Sequence, residues 1–213
     1  MIYDIDIAKQ VAKSLLQINA IILQPNNPFK WAAGWNSPIY CDNRKTLSYP
    51  EIRNYIRQGL VAVIKNHYKG ANVIAGVATA GIPHGVLVAE ELGLPFIYVR
   101  AKAKEHGKQN QIEGYFEKGQ SVILVEDLIS SGKSSLEAAS ALKEVGMKVK
   151  GMVSIFTYGF DTASENFKNA NCEYISLCDY NTLLPEAIKQ KYIDKEDLAI
   201  LKQWRENPSN WKQ

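Results

Sequence analysis

The chain is poor in the features that hold small secreted proteins together. Its 213 residues include only three cysteines, Cys41, Cys172 and Cys178, an odd number with no C-x-x-C spacing. That pattern excludes a disulfide framework and indicates no zinc site, so a reducing cytoplasm is the expected compartment. No apolar run approaches the roughly 18 residues of a spanning helix, and no membrane association is expected. The N-terminus alternates Asp with Ile and Tyr and lacks the basic start and apolar stretch of a secretory signal. The net charge is only +3, from 25 Lys and Arg against 22 Asp and Glu. So even a balance argues against a nucleic-acid partner, which usually requires a markedly basic surface.

What remains is the composition of a soluble globular protein, 46% hydrophobic and 22% charged. At this length roughly 70% of the unfolded surface can be buried. One domain over residues 1–213 therefore needs no disulfide or structural metal. The spacing of Ile5, Ala8, Val11, Ala12, Leu15 and Leu16 predicts a helix. Pro50 suits the first turn of a second helix, where its missing N–H costs little. Ile52, Tyr55, Ile56, Leu60, Val63 and Ile64 form the apolar stripe of that helix. Between the two, residues 26–49 are rich in Pro, Gly, Asn and aromatics.

From Asn72 onward the pattern changes. Strands are expected at 73–77, 95–99, 121–125, 151–156 and 174–177, and helices at 82–92, 134–145 and 162–170. This alternation of apolar strands with helices predicts an α/β fold, a parallel twisted sheet flanked by helices. Ligands of such sheets bind where strands end and helices begin. Residues 207–213 read as a short tail.

The strongest signal is S-V-I-L-V-E-D-L-I-S-S-G-K-S-S, residues 121–135. A buried strand delivers Glu126 and Asp127 to the sheet edge. A small polar loop then opens a helix, whose free N–H groups and dipole attract a phosphate. Gly132 permits close approach of the backbone to an anion. The two acids suit sugar hydroxyls or a hydrated magnesium ion. The string is not a Walker loop, because no glycine stands five residues before Gly132. A lone Ser-Gly turn would be an ordinary cap; the paired acids after the apolar strand make this one specific.

The string resembles the phosphoribosyl pyrophosphate (PRPP) motif of type I phosphoribosyltransferases. The resemblance implies that Glu126 and Asp127 hold the ribose hydroxyls. It implies that Leu128, Ile129, Ser130, Ser131, Gly132, Lys133 and Ser134 hold the 5′-phosphate.

Arg100, Lys102, Lys104 and His106 alternate with Ala101, Ala103 and Glu105. In an extended segment all four basic groups face one side. With Lys108, four positive charges against Glu105 leave +3, the net charge of the whole chain. A charged stretch is usually a solvated loop, but one so concentrated suits a polyanion such as pyrophosphate. R-A-K-A-K-E-H-G followed by Q-I-E-G resembles the mobile catalytic loop of one branch, the orotate phosphoribosyltransferases. In that branch the loop closes over the neighbouring subunit's site. The resemblance gives Arg100, Lys104 and His106 the catalytic, PRPP-contacting roles, with Lys102 a further candidate because Ala101 stands where some members have lysine.

G-V-A-T-A-G-I-P-H, residues 76–84, resembles the family's pyrophosphate loop, which can hold a non-proline cis peptide. That adds Ala78 and Thr79 as PRPP-binding candidates and places any such bond near them. His84 reads as structural. Residues 29–44 crowd aromatics beside polar groups and resemble the segment that covers the orotate base. Trp31, Trp35 and Tyr40 can equally be packing. Ser130 carries over as an orotate contact, and Arg44 and Lys30 are candidates for the charge that an orotate carboxylate needs. Some relatives place a lysine where Ala32 stands, or an arginine where Thr157-Tyr158-Gly159 stands.

The implied fold is that of a type I phosphoribosyltransferase, with an N-terminal hood mainly over 1–70, a PRPP-binding core over about 71–180 and C-terminal helices over about 181–206. The implied reaction transfers the 5-phosphoribosyl group from PRPP to orotate, giving orotidine 5′-monophosphate and pyrophosphate in UMP biosynthesis. Mg²⁺ is the implied cofactor, held mainly by PRPP and water with no direct protein ligand expected. A homodimer is implied, with loop 100–111 reaching the partner's site. Two other readings share parts of the pattern. A purine-using transferase would have the Glu126-Asp127 string without the aromatic segment or basic arm. A PRPP-sensing regulator that touches nucleic acid would show a basic face or an added domain.

Overall fold

The structure is a computed structural model and describes residues 1–31, 34–101 and 111–212. Helix α1 (Ile5–Gln17) starts where the Asp4 carboxylate accepts from the N–H groups of Asp6 and Ile7, both at 2.9 Å. Its stripe of Ala8, Val11, Ala12, Leu15 and Leu16 is buried, as the spacing predicts, while Ile5, the first of the expected series, is exposed in the opening turn. A cover follows: β1 (Ile21–Leu23), β2 (Phe29–Lys30), β3 (Asn36–Ser37), β4 (Ile39–Cys41) and a 3-10 helix, Asn43–Ser48. β1 pairs with β4 and β2 with β3, both antiparallel. Proline and aromatics concealed these short hairpins in the sequence. Helix α2 (Pro50–His67) begins at its proline.

Next come β5 (Val73–Val77), α3 (Gly81–Leu92), β6 (Phe96–Val99), β7 (Ile112–Glu113), β8 (Ser121–Ile129), α4 (Lys133–Glu144), β9 (Lys148–Thr157), α5 (Asp161–Asn169), β10 (Tyr174–Asp179), α6 (Tyr180–Lys189) and α7 (Asp197–Glu206). The main sheet runs β10-β9-β8-β5-β6-β7. Its first five strands are parallel; the short edge strand β7 is antiparallel to β6.

Alternation along the strands builds a core on each face. Ile74, Ile123, Val125, Val153 and Leu177 pack with α1, α2, α3, α6 and α7. Val73, Ala75, Val77, Val122, Leu124 and Met152 pack with α4 and α5. Period-two alternation sends consecutive side chains to opposite faces. Helices on both faces are what a parallel sheet with apolar strands requires. No helix among the described residues is long and apolar enough to cross a membrane.

Several boundaries differ from expectation, and three of the differences bear on the site. β8 continues to Ile129 instead of ending at Val125, because Leu128 and Ile129 pair with Phe156 and Thr157 of β9. Leu128 and Ile129 are therefore strand, and the loop proper begins at Ser130. The irregular cover is residues 21–49, while α1 and α2 on either side of it lie in the core on the sheet face. Finally, residues 207–212 are a docked strap and no free tail. Trp211 is 5% exposed, Lys212 Nζ donates to the Pro25 carbonyl at 3.1 Å, and the Asn36 amide donates to the Lys212 carbonyl.

Candidate active site

Two turns meet at the carboxyl edge of the sheet. The β5–α3 turn contains a cis peptide between Ala78 and Thr79, where the family resemblance had placed one. Ala78 N donates to the Val99 carbonyl at 2.9 Å, which joins this turn to the end of β6. Gly81 is required by contact: a Cβ there would lie 2.3 Å from the Val125 carbonyl oxygen. α3 thus sits hard against β8 one residue before the acidic pair.

In the second turn Glu126 and Asp127 play different parts. Glu126 is buried; its Oε1 accepts the Asp127 N–H at 3.0 Å and its Oε2 accepts the Ser135 hydroxyl at 2.9 Å. Burial, and then the neighbouring Asp127 charge, push its carboxyl well above the usual range. Asp127 is half-buried, and its carboxyl is also raised by burial. Beyond them Gly132 has φ of 78° and precedes α4, which no side chain caps. The first N–H groups of such a helix lack partners within it. Asn166 fixes the loop from behind by donating to the Ser131 carbonyl at 3.0 Å.

The basic arm is rooted beside both turns. Arg100 N donates to the Gln111 carbonyl and the Gln111 amide donates to the Arg100 carbonyl, each at 2.8 Å. The Arg100 guanidinium lies 3.6 Å from Glu113. Ala78, Arg100, Gln111 and Ser134 line one small cleft. Lys102, Lys104 and His106 lie outside the described residues.

The cover is tied to this edge by Asn43, which the sequence reading did not single out. Asn43 is fully buried, and its amide donates to the Asp127 carbonyl at 2.7 Å. Only its place in the segment 29–44, which resembles the family's base-covering segment, could have marked it. Arg44 is exposed and bound to Asp42 at 2.6 Å, which holds the Asp42 carboxyl below its usual range. Lys30 is exposed on β2.

A separate cavity of about 350 Å³ opens between the cover and the β8–α4 loop, lined by Trp31, Trp35, Ser130, Phe160 and Arg205, among others. Ser130 reaches it; Lys30 and Arg44 are not among its lining residues. Trp31 also packs against Tyr158 and Trp204, with ring centroids 5.3 and 5.6 Å away. His84 is buried in the first turn of α3, where burial lowers its pKa to about 4.

The comparisons agree with this architecture. A profile of the phosphoribosyl transferase domain matches residues 51–181. Orotate phosphoribosyltransferase of Cytophaga hutchinsonii is 56% identical over 204 residues, 96% of this chain and 98% of that protein. The Listeria innocua protein of the same name is 50% identical over 205 residues, again 96% and 98%. Among solved structures, Aeropyrum pernix orotate phosphoribosyltransferase superimposes with a TM-score of 0.74 at 27% identity, covering 83% of this chain and 97% of that one. The chain therefore belongs to the phosphoribosyltransferase family and, within it, to the orotate phosphoribosyltransferases.

Proposed function

We propose that the chain transfers the 5-phosphoribosyl group of PRPP to orotate in a Mg²⁺-dependent reaction at this sheet edge. The observation that carries the assignment of roles is the convergence of three features. These are the uncapped α4 N-terminus, the cis-peptide turn and the root of the basic arm, which share one cleft.

The N–H groups and hydroxyls of residues 130–134 cradle the 5′-phosphate. Asp127 accepts from the ribose hydroxyls. Glu126 has each oxygen already engaged once, so it positions the turn and offers its remaining lone pairs to the sugar. Ala78, Thr79 and Arg100 face the diphosphate, and the family resemblance gives Lys104 and His106, with Lys102 a further candidate, roles in contacting it. The bond from the anomeric carbon to the diphosphate oxygen breaks, and its electron pair leaves with diphosphate. The orotate ring nitrogen bonds to the same carbon, and its N–H bond breaks with the proton passing to solvent. Positive charge develops on the sugar and negative charge on the leaving group, so cations at Arg100 and Lys104 act most strongly in the transition state. Closure of the arm also excludes water from the activated sugar.

Among the described residues no group of three His, Cys, Asp or Glu could hold a metal ion. A single half-exposed carboxylate beside a phosphate site fits Mg²⁺, which binds one or two carboxylates plus substrate phosphates and keeps several waters. Bound with PRPP, it supplies neutralising charge to the diphosphate. The family's loop arrangement supports a homodimer in which residues 100–111 serve the partner's site. The three free cysteines suit a reducing cytoplasm.

The test is orotate consumption, read as loss of its ultraviolet absorbance, with adenine, hypoxanthine and uracil in parallel. Loss that depends on both PRPP and Mg²⁺ is expected. Turnover of another base in preference to orotate sinks the substrate assignment, and PRPP binding without turnover of any base sinks the reaction. For the arm, Lys104→Ala should lower kcat far more than PRPP affinity; equal losses would argue against a transition-state role.

A further inference from the structure

Orotate is a planar ring with a carboxylate, so its site needs a flat apolar slot and a fixed cation. The two cations in the aromatic segment, Lys30 and Arg44, do not line the cavity beside Ser130. Arg205 of α7 does, and it is the one cation among the described lining residues. From the geometry we infer that Arg205 receives the carboxylate of the base, and that the strap at 207–209 walls the slot from outside. The inference rests on orotate being the substrate and on Ser130 marking its pocket.

Four observations support it. The cavity is about 350 Å³, within the range of small-molecule sites, and Trp31, Trp35 and Phe160 line it. Ser130 begins the phosphate loop, so a base held here lies next to the sugar. Arg205 is half-buried and pre-positioned, since its Nη1 donates to the Gly159 carbonyl at 2.6 Å. A guanidinium has five donors in a fixed fork, and those left over match a carboxylate. Asp161 and Glu206 line the same cavity, but both are exposed, where water and salt screen them. The strap is anchored on the cover through Lys212, which bonds to Pro25 and Asn36, so α7, the strap and these parts of the cover form one wall system.

The test compares orotate with its uncharged methyl ester, by calorimetric binding to the PRPP-loaded protein without Mg²⁺, so that no turnover occurs. Arg205→Gln keeps a donor for the Gly159 carbonyl while removing the charge, and Arg205→Lys keeps the charge. Arg205→Gln should weaken orotate by about tenfold to a hundredfold, the usual worth of a hydrogen bond to a charged group. It should leave the ester and the PRPP affinity within about twofold, and Arg205→Lys should recover part of the loss. Equal weakening of orotate and ester would mean that Arg205 only supports the Gly159 turn, and would overturn the inference. In the wild-type protein, orotate should protect Arg205 from phenylglyoxal; modification undiminished at saturating orotate overturns it without any variant. A wild-type protein that neither binds nor consumes orotate defeats the substrate assignment, and the inference falls with it.

Discussion

The proposed sugar-phosphate end and the proposed base end of the site are built in opposite ways. The first is local. Strand β5 with its turn and strand β8 with its loop each bring their groups within a dozen residues, and parallel pairing of the two strands places them side by side. The second is assembled across the chain. Its wall takes Trp31 from the cover, Ser130 from the loop, Phe160 from the start of α5 and Arg205 from α7. A contiguous site can be rigid because each part is an element terminus. A dispersed site depends on the packing of distant segments, here an aromatic cluster in which Trp31, Tyr158, Phe160 and Trp204 meet at 5.3 to 5.7 Å.

The largest break in the local half should come from Gly81→Ala. Its Cβ would fall 2.3 Å from the Val125 carbonyl, and the obstacle is backbone. Either α3 or β8 must shift by about 1 Å, and a misplacement of that size costs about a hundredfold in rate. Overpacking adds about 1–3 kcal/mol of instability. Steady-state kinetics with both substrates checks this: kcat/KM for PRPP should fall by about that factor. A variant with undisturbed kinetics would show that the α3–β8 approach does not position the acids.

A smaller effect is expected at the seam between the halves. Asn43→Ala removes the part-buried 2.7 Å bond to the Asp127 carbonyl. The expected cost is about 1–3 kcal/mol of stability. If the cover acts on the sugar end through this bond, the KM for PRPP rises several-fold. If the KM of orotate alone rises, the cover belongs only to the base end, and the two halves are more independent than the contact suggests. Denaturant unfolding and paired KM values separate these outcomes.

The same contrast decides what could be read from the sequence. The strand–helix alternation, the two turns at the carboxyl edge of the sheet and the place of the cis peptide were legible, because each is carried by consecutive residues with a local pattern. β8 was read four residues short, since Glu126 and Asp127 look like the end of an apolar run although pairing with β9 continues beyond them. Asn43 and Arg205 carried no local signal. One is an asparagine in a polar segment and the other a basic residue on an amphipathic helix, where a solvated face is the ordinary expectation. Only tertiary contact gives them meaning. The strap was misread for the same reason: Lys212 finds its partners Asn36 and Pro25 more than 170 residues away in sequence, on a cover that has no strong periodicity of its own.

At neutral pH the smallest effect is expected from His84, which sharpens the comparison by probing the buried side of the local half. Burial lowers its folded pKa from 6.5 to about 4, and its Nε2 has no hydrogen-bond partner among the described residues. Between those values the unfolded chain binds the proton and the folded chain does not. Stability is therefore full above pH 6.5 and is lost as pH falls toward 4, by roughly 3 kcal/mol at the lower end. Glu126 and Asp127 act with the opposite sign. Their raised folded pKa values make the fold bind protons more readily than the unfolded chain, so their contribution declines as pH rises above the ordinary carboxylate range. The wild-type acid limb is thus the difference of two opposed terms, and His84→Leu isolates the carboxylates. It should leave kcat/KM at pH 7.5 within about twofold and flatten or invert the loss of melting temperature toward pH 4, where each kcal/mol corresponds to about 2–4 °C. An unchanged acid limb in His84→Leu would mean that other groups govern it, and that the buried first turn of α3 opens to water well before the fold is lost.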